Sequence, residues 1–248
     1  MADHLRSELC CDALNMALGR RGPVLGLIHH SDRGVQGGFN RSSQHPFDGG
    51  VGDALSTWLE ARSNVESRSN NYVAGGFPAT LAGVAIARHC QDVLERDALK
   101  ALQAVEAGAL TPAVENIIEV NTLLSGLGFE NVGCSAAHGV HDGLTILRET
   151  HSFFHGEKVA FGTICLMVLE NRDLAEIEKV VRFCRAVGLP TTLADLNIIE
   201  NVSEKVRCVA EAACLDGGII HATPVEITPE SVTSCILAAD RLARSLEP

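Results

Sequence analysis

A mainly α-helical fold is predicted for residues 51–248, on three observations. Apolar residues recur at helical spacing in one run after another. Thr-Pro or Asp start signals precede several runs, and Gly or Pro follows them. The stretch from Gly75 to Glu95 is also Ala-rich, which suits helix better than strand.

Taken in order, residues 3–20 read as a helix with Leu5, Leu9, Ala13, Met16 and Leu18 on an apolar side, stopped by Gly22-Pro23. Val24 to Ile28 is a short apolar run that reads as a strand, ending at His29-His30-Ser31-Asp32. Gly37 to Gly50 is rich in turn residues without periodicity, so residues 37–49 are expected to be a junction loop. From Val51 the texture changes. Ala54, Leu55, Trp58 and Leu59 open the first helical run. Thr111-Pro112 opens another, through Val114, Ile117, Ile118, Asn121 and Leu124, with Pro in the favourable first turn. Asp173 followed by Glu176 has the spacing of a capping box, ahead of Leu174, Ile177, Val181, Cys184 and Val187. Ser203 to Leu215 repeats this logic and stops at Gly217-Gly218. Thr228-Pro229 opens the last helix, carrying Val232, Ile236 and Leu242.

Composition excludes several classes. With 248 residues, 46% of them hydrophobic, the chain is too apolar for global disorder and long enough for a sizeable core. Its net charge of −11 argues against general nucleic-acid or membrane-surface binding. No stretch approaches the roughly 18 apolar residues of a membrane span. The start, MADHLRSELCC, lacks a signal-peptide pattern. Nine scattered cysteines without a CxxC fit a reducing cytoplasm better than a disulfide framework. Charge is divided unevenly: residues 1–50 hold five basic and five acidic side chains, leaving the whole −11 to residues 51–248.

The polar residues concentrate between Cys134 and Gly162, CSAAHGVHDGLTILRETHSFFHGEKVAFG. On a helix His138 and His141 share a face, and so would His151 and His155. Imidazoles with a carboxylate suit a transition metal; capping or solvating a helix is the alternative, and spacing does not select a ligand pair. Asp53, ahead of an apolar helical run, reads either as an N-cap or as a metal-binding carboxylate.

Four segments resemble the glycerol dehydrogenases of the metal-dependent, or iron-containing, alcohol dehydrogenase superfamily, which also includes dehydroquinate synthase. They are GVGDALSTWLEARS (50–63), ENIIEVNTLLSGLGFEN (115–131), AAHGVHDGL (136–144) and FHGEKVAFG (154–162), with VGLPTTLADL (187–196) and VAEAAC (209–214) in support. The resemblance spans residues 50–248 and implies the superfamily's all-helical metal-binding domain. It implies a divalent metal, usually zinc with iron as the alternative, held by Asp53, His138 and His155. His141 would lie beside it for substrate contact or proton relay, and His151 matches no ligand position. The implied reaction is NAD-linked oxidation of glycerol to dihydroxyacetone. Its chemistry explains the residue types: one Asp and two His leave open positions where a polyol hydroxyl is acidified before hydride leaves for nicotinamide.

The superfamily's N-terminal α/β dinucleotide domain is expected to be missing. Only some 50 residues precede the Asp53 motif, and no glycine run lies between a strand and a helix to cradle a pyrophosphate. No NAD-binding residue is therefore assigned, and the isolated chain is expected to turn over feebly or not at all. Residues 3–36 instead resemble a fragment of an insertion-sequence transposase core. HSDRGVQ places one of that family's three catalytic acids on Asp32, too few for transposase chemistry. Two other readings stay open: a non-catalytic metal-binding or homo-oligomerising module, and a dehydrogenase of another polyol such as glycerol-1-phosphate. No Lys/Arg cluster near the histidines favours the phosphate.

Overall fold

The computed structural model describes residues 46–71 and 76–246. The helix expected over 3–20, the strand over 24–28, Asp32 and the transposase-like segment lie outside them. Among the described residues the fold is helical throughout, with one isolated antiparallel bridge, Asn70 to Pro78, and no strand. No helix among them is long and apolar enough to cross a membrane. All seven described cysteines are free thiols.

Helix α1 (Pro46–Ser67) corrects two expectations. It starts inside the segment expected to be a loop, and it places Asp53 in its interior, so Asp53 is no N-cap. Gly50, from the stretch that suggested a loop, and Gly52 beyond it serve close packing. A Cβ on Gly52 would stand 2.1 Å from the Gly156 carbonyl oxygen, and one on Gly50 2.4 Å from Nδ2 of Asn121. Helix α2 (Leu81–Glu106) begins at Thr80, whose hydroxyl accepts the Gly83 N–H.

The helix opened by Pro112 is not uniform. Helix α3 (Pro112–Glu119) passes through a π turn (Val120–Leu124) into α4 (Ser125–Val132). Asn121, the residue beside Gly50, sits in that wider turn. Gly133, at a φ of 93°, then reverses the chain into α5 (Ala136–Leu144). Helices α6 (His155–Leu169), α7 (Leu174–Ala186), α8 (Val202–Ala213) and α9 (Pro229–Ser245) complete the unit.

Helix α6 is the centre of the core. Val159, Ala160, Phe161, Ile164, Cys165, Leu166 and Met167 are buried around its whole circumference, as a helix enclosed on every side requires. Helix α5 packs on it, α8 packs on α5, and α9 bridges α6 and α8. A second group joins α2 to α3 and α4. Helix α1 reaches both groups: Thr57 hydrogen-bonds Ser125 of α4 at 3.1 Å, while Gly52 abuts Gly156 of α6.

The capping box expected at α7 does not form: Asp173 makes no side-chain cap. Glu176 is drawn instead to Arg62 of α1, 2.7 Å away, because a charged partner outcompetes a backbone N–H. Thr228 and Ser231 do form a reciprocal box at α9.

Between α2 and α3 lies a buried carboxylate, Asp97. It meets Arg96 at 2.7 Å, Lys100 at 2.6 Å and the Asn116 amide at 2.7 Å. The Arg96 guanidinium first, then Lys100 and Asn116, hold its carboxyl well below the usual range against the opposing effect of burial. A depressed carboxyl stabilises the fold above its unfolded value of about 4 and loses that contribution as pH falls further. Asp97→Asn is therefore expected to lower the urea midpoint at neutral pH, the gap from wild type closing below about pH 4. A gap independent of pH would contradict this.

Candidate metal centre

Three helices deliver the predicted residues to one point. Asp53 comes from the middle of α1, His138 from the first turn of α5, and His155 from the first residue of α6. Asp53 Oδ1 lies 3.2 Å from Nε2 of His138 and 3.2 Å from Nε2 of His155, and the two Nε2 atoms are 3.3 Å apart. Helix α5 does put His138 and His141 on one side, as their spacing suggested. His151 and His155 part company. His151 follows a short 3₁₀ turn (Arg148–Thr150), and its Nε2 donates to the Thr145 carbonyl at 2.9 Å near the end of α5. It caps a helix, the ordinary role for such a histidine.

Proton positions on the imidazoles follow from their other contacts. Nδ1 of His138 faces the Glu60 carboxylate at 2.6 Å and donates to it, leaving Nε2 with its lone pair towards Asp53. Nδ1 of His141 donates to Asp142 at 3.1 Å, so His141 Nε2 can accept from Nδ1 of His155 at 3.0 Å. His155 Nε2 is then a lone pair as well. One carboxylate oxygen and two imidazole nitrogens thus converge with no hydrogen among them, an arrangement that calls for a cation.

The spacing suits such an ion. Ligands about 2.0–2.1 Å from a tetrahedral zinc stand roughly 3.3 Å from one another. Electrostatics agree. When protons on the rings stand in place of an ion, burial raises the Asp53 carboxyl, but hydrogen bonds from His138 and His155, and then their charge, outweigh that and hold it far below the usual range. Burial lowers His138, yet the carboxylates of Glu60 and Asp53 around it raise its basicity well above the ordinary value. Positive charge is favoured at this point, whether a proton or a metal carries it. Burial pushes His141 down to about 4, so it is a neutral ring at neutral pH.

Glu60, Cys134 and His138 form a second group with donor atoms within 4.8 Å of one another. Burial pushes the Cys134 thiol up to about 12, which keeps it protonated, and the Glu60 oxygens already accept three N–H donors. This group supports the first. Glu60 had no place in the sequence reading. The signal was there, because Glu60 follows Asp53 by seven residues and so lies on the same face of α1.

No protein-family model matches the chain. It is 50% identical over 195 residues to a glycerol dehydrogenase of Pseudomonas putida, a match covering 79% of this chain and 53% of that one. A solved structure of a probable glycerol dehydrogenase from Sinorhizobium meliloti superimposes with TM-score 0.78 at 71% identity, covering 80% of this chain and 56% of the other. The iron-containing alcohol dehydrogenase of Thermococcus thioreducens, at 20% identity, shares the fold with TM-score 0.57 over 84% of this chain and 52% of its own. The chain spans about half the length of the curated relatives it matches. Over about 79% of its length, therefore, this chain is a homologue of glycerol dehydrogenases, built on the helical half of the iron-containing alcohol dehydrogenase fold.

Proposed function

We propose that Asp53, His138 and His155 hold a divalent metal, and that this helical region is the metal-holding side of an NAD-linked dehydrogenase oxidising glycerol to dihydroxyacetone. The observation that carries the reading is the 3.2, 3.2 and 3.3 Å triangle of one oxygen and two nitrogens. Zinc is the proposed ion. Two histidines and a carboxylate also suit iron(II), and elemental analysis of the purified protein separates the two. A divalent cation bound there would acidify a hydroxyl reaching its open position. Similarity to glycerol dehydrogenases supports a polyol as the source of that hydroxyl.

The protein's own part is to orient the ligands. His141 accepts Nδ1–H of His155 and donates its own Nδ1–H to Asp142, which keeps the Nε2 lone pair of His155 turned to the ion. In this proposal NAD is held by an α/β region of the kind the resemblance implies, and the described residues contain no strand from which to build one. Residues 1–36 are proposed as a separate segment outside the metal chemistry.

Cobalt(II) substituted for the native ion makes the site visible. Its ligand-field absorption is expected to change when glycerol is added, as a hydroxyl enters the open position. A cobalt spectrum unmoved by saturating glycerol would overturn the substrate reading.

A further inference from the structure

Glu60 is fully buried in the middle of α1 and makes three contacts with α5. Its Oε1 accepts the backbone N–H of Ser135 at 2.8 Å and of His138 at 3.0 Å. Those donors belong to the start of α5, where N–H groups have no intrahelical partner and where Ser135 supplies no side-chain cap. Its Oε2 accepts Nδ1–H of His138 at 2.6 Å. One carboxylate therefore caps the helix that carries the ligand and grips the ligand's ring. Two further contacts hold the pair. The Asn64 amide donates to the Glu60 carbonyl at 3.0 Å and to the Cys134 carbonyl at 2.9 Å. Phe129 stands edge-on to the His138 ring with centroids 5.0 Å apart.

We infer that Glu60 is a positioning residue that fixes the metal-binding tautomer of His138, keeping the proton on Nδ1 and the Nε2 lone pair towards Asp53. The inference rests on the metal reading of Asp53, His138 and His155, since only a ligand role makes the tautomer matter. Outer carboxylates of this kind orient a ligating imidazole and strengthen it as a donor. The carboxylate is essential to the argument because both oxygens are acceptors.

Glu60→Gln separates positioning from simple support. The amide matches the carboxylate in size. Its single oxygen satisfies the two backbone donors, and flipping it would set its NH2 against both of them. The NH2 then points at His138 Nδ1, which must present a lone pair, so the neutral ring carries its proton on Nε2, where the metal should bind. The cap survives and the tautomer inverts.

Two measurements on the full-length chain test this. Nitrogen-15 spectra of metal-free, histidine-labelled protein, taken at a pH alkaline enough for His138 to show one protonated and one lone-pair nitrogen, report whether Nδ1 is the one bearing hydrogen, the signal being assigned by its loss in His138→Gln. Wild type is expected to show a protonated Nδ1, and Glu60→Gln a lone-pair Nδ1. Zinc competition against a chelator is expected to show affinity about 10–100-fold weaker in Glu60→Gln, with helix content unchanged. An unprotonated Nδ1 in wild type, or wild-type zinc affinity in folded Glu60→Gln, would overturn the inference. A wild type that takes no zinc would overturn the metal reading, while the nitrogen spectra still judge Glu60 by themselves.

Discussion

Asp53→Asn protein is expected to emerge from purification without stoichiometric zinc, whereas wild type retains one ion for each chain. In the proposed site Asp53 is the anionic ligand, and an amide oxygen at its position carries no charge to balance a divalent ion. If about 10 kcal/mol of binding is spread over three ligands, each contributes about 3 kcal/mol, or more than a hundredfold in affinity. Zinc at roughly a hundred times its dissociation constant stabilises the native state by about 2.7 kcal/mol. For a protein of this size that raises Tm by roughly 5–10 °C. The shift is expected in wild type, absent in Asp53→Asn, and equally absent in His155→Ala. His151→Ala is the matched control. It removes a histidine four residues from His155, but one bound to a backbone carbonyl, and is expected to keep both the zinc and the shift. Full zinc occupancy in Asp53→Asn would remove that residue from the site.

The second large effect is expected where no functional atom is touched. A Cβ on Gly156 would lie 1.7 Å from the Gly49 carbonyl oxygen and 2.9 Å from the Asp53 backbone nitrogen. Both neighbours are backbone, so no side chain can turn aside. Helix α1 and the start of α6 must separate by more than an ångström, and they carry Asp53 and His155. Gly156→Ala is expected to cost about 3 kcal/mol, at the upper end for overpacking, lowering Tm by roughly 6–12 °C. Zinc affinity should fall with it, because the 3.2 Å between Asp53 and His155 opens. Gly126→Ala supplies the contrast. Its added methyl meets nothing within 4 Å on helix α4, so the ordinary gain from replacing a helical glycine, about 0.5–1 kcal/mol, is expected there. Calorimetry of the two variants beside wild type decides the matter, and an unshifted Gly156→Ala would refute the close approach.

Helix boundaries show where local signals suffice. Thr80, Thr111-Pro112 and Thr228-Pro229 mark helix starts because caps and proline act within one turn of chain. Asp173 and Glu176 show the limit. Their spacing suits a capping box, but Arg62, more than a hundred residues earlier, draws the Glu176 carboxylate away. Gly49 and Gly50 failed as loop markers for the same reason. Glycine permits both a turn and a close helix crossing, and which one occurs depends on what lies opposite.

For the candidate site, residue types and motifs determined the donor inventory: a carboxylate at position 53 and imidazoles at 138, 141, 151 and 155. The apolar period determined that their carriers are helices. Spacing did not select which donors meet; the family resemblance named Asp53, His138 and His155, and the tertiary structure brings those three together. His151 and His155 have helical spacing yet belong to different elements, while Asp53 and His155 stand 102 positions apart and lie 3.2 Å from one another. It also revealed Glu60, whose spacing from Asp53 puts both on one face of α1 but does not show that His138 lies opposite. Periodicity reports which face of a helix is buried, because burial acts on each residue's own neighbourhood. A metal site requires three lone pairs at one point, and only packed helices, crossing here at glycines, bring them there.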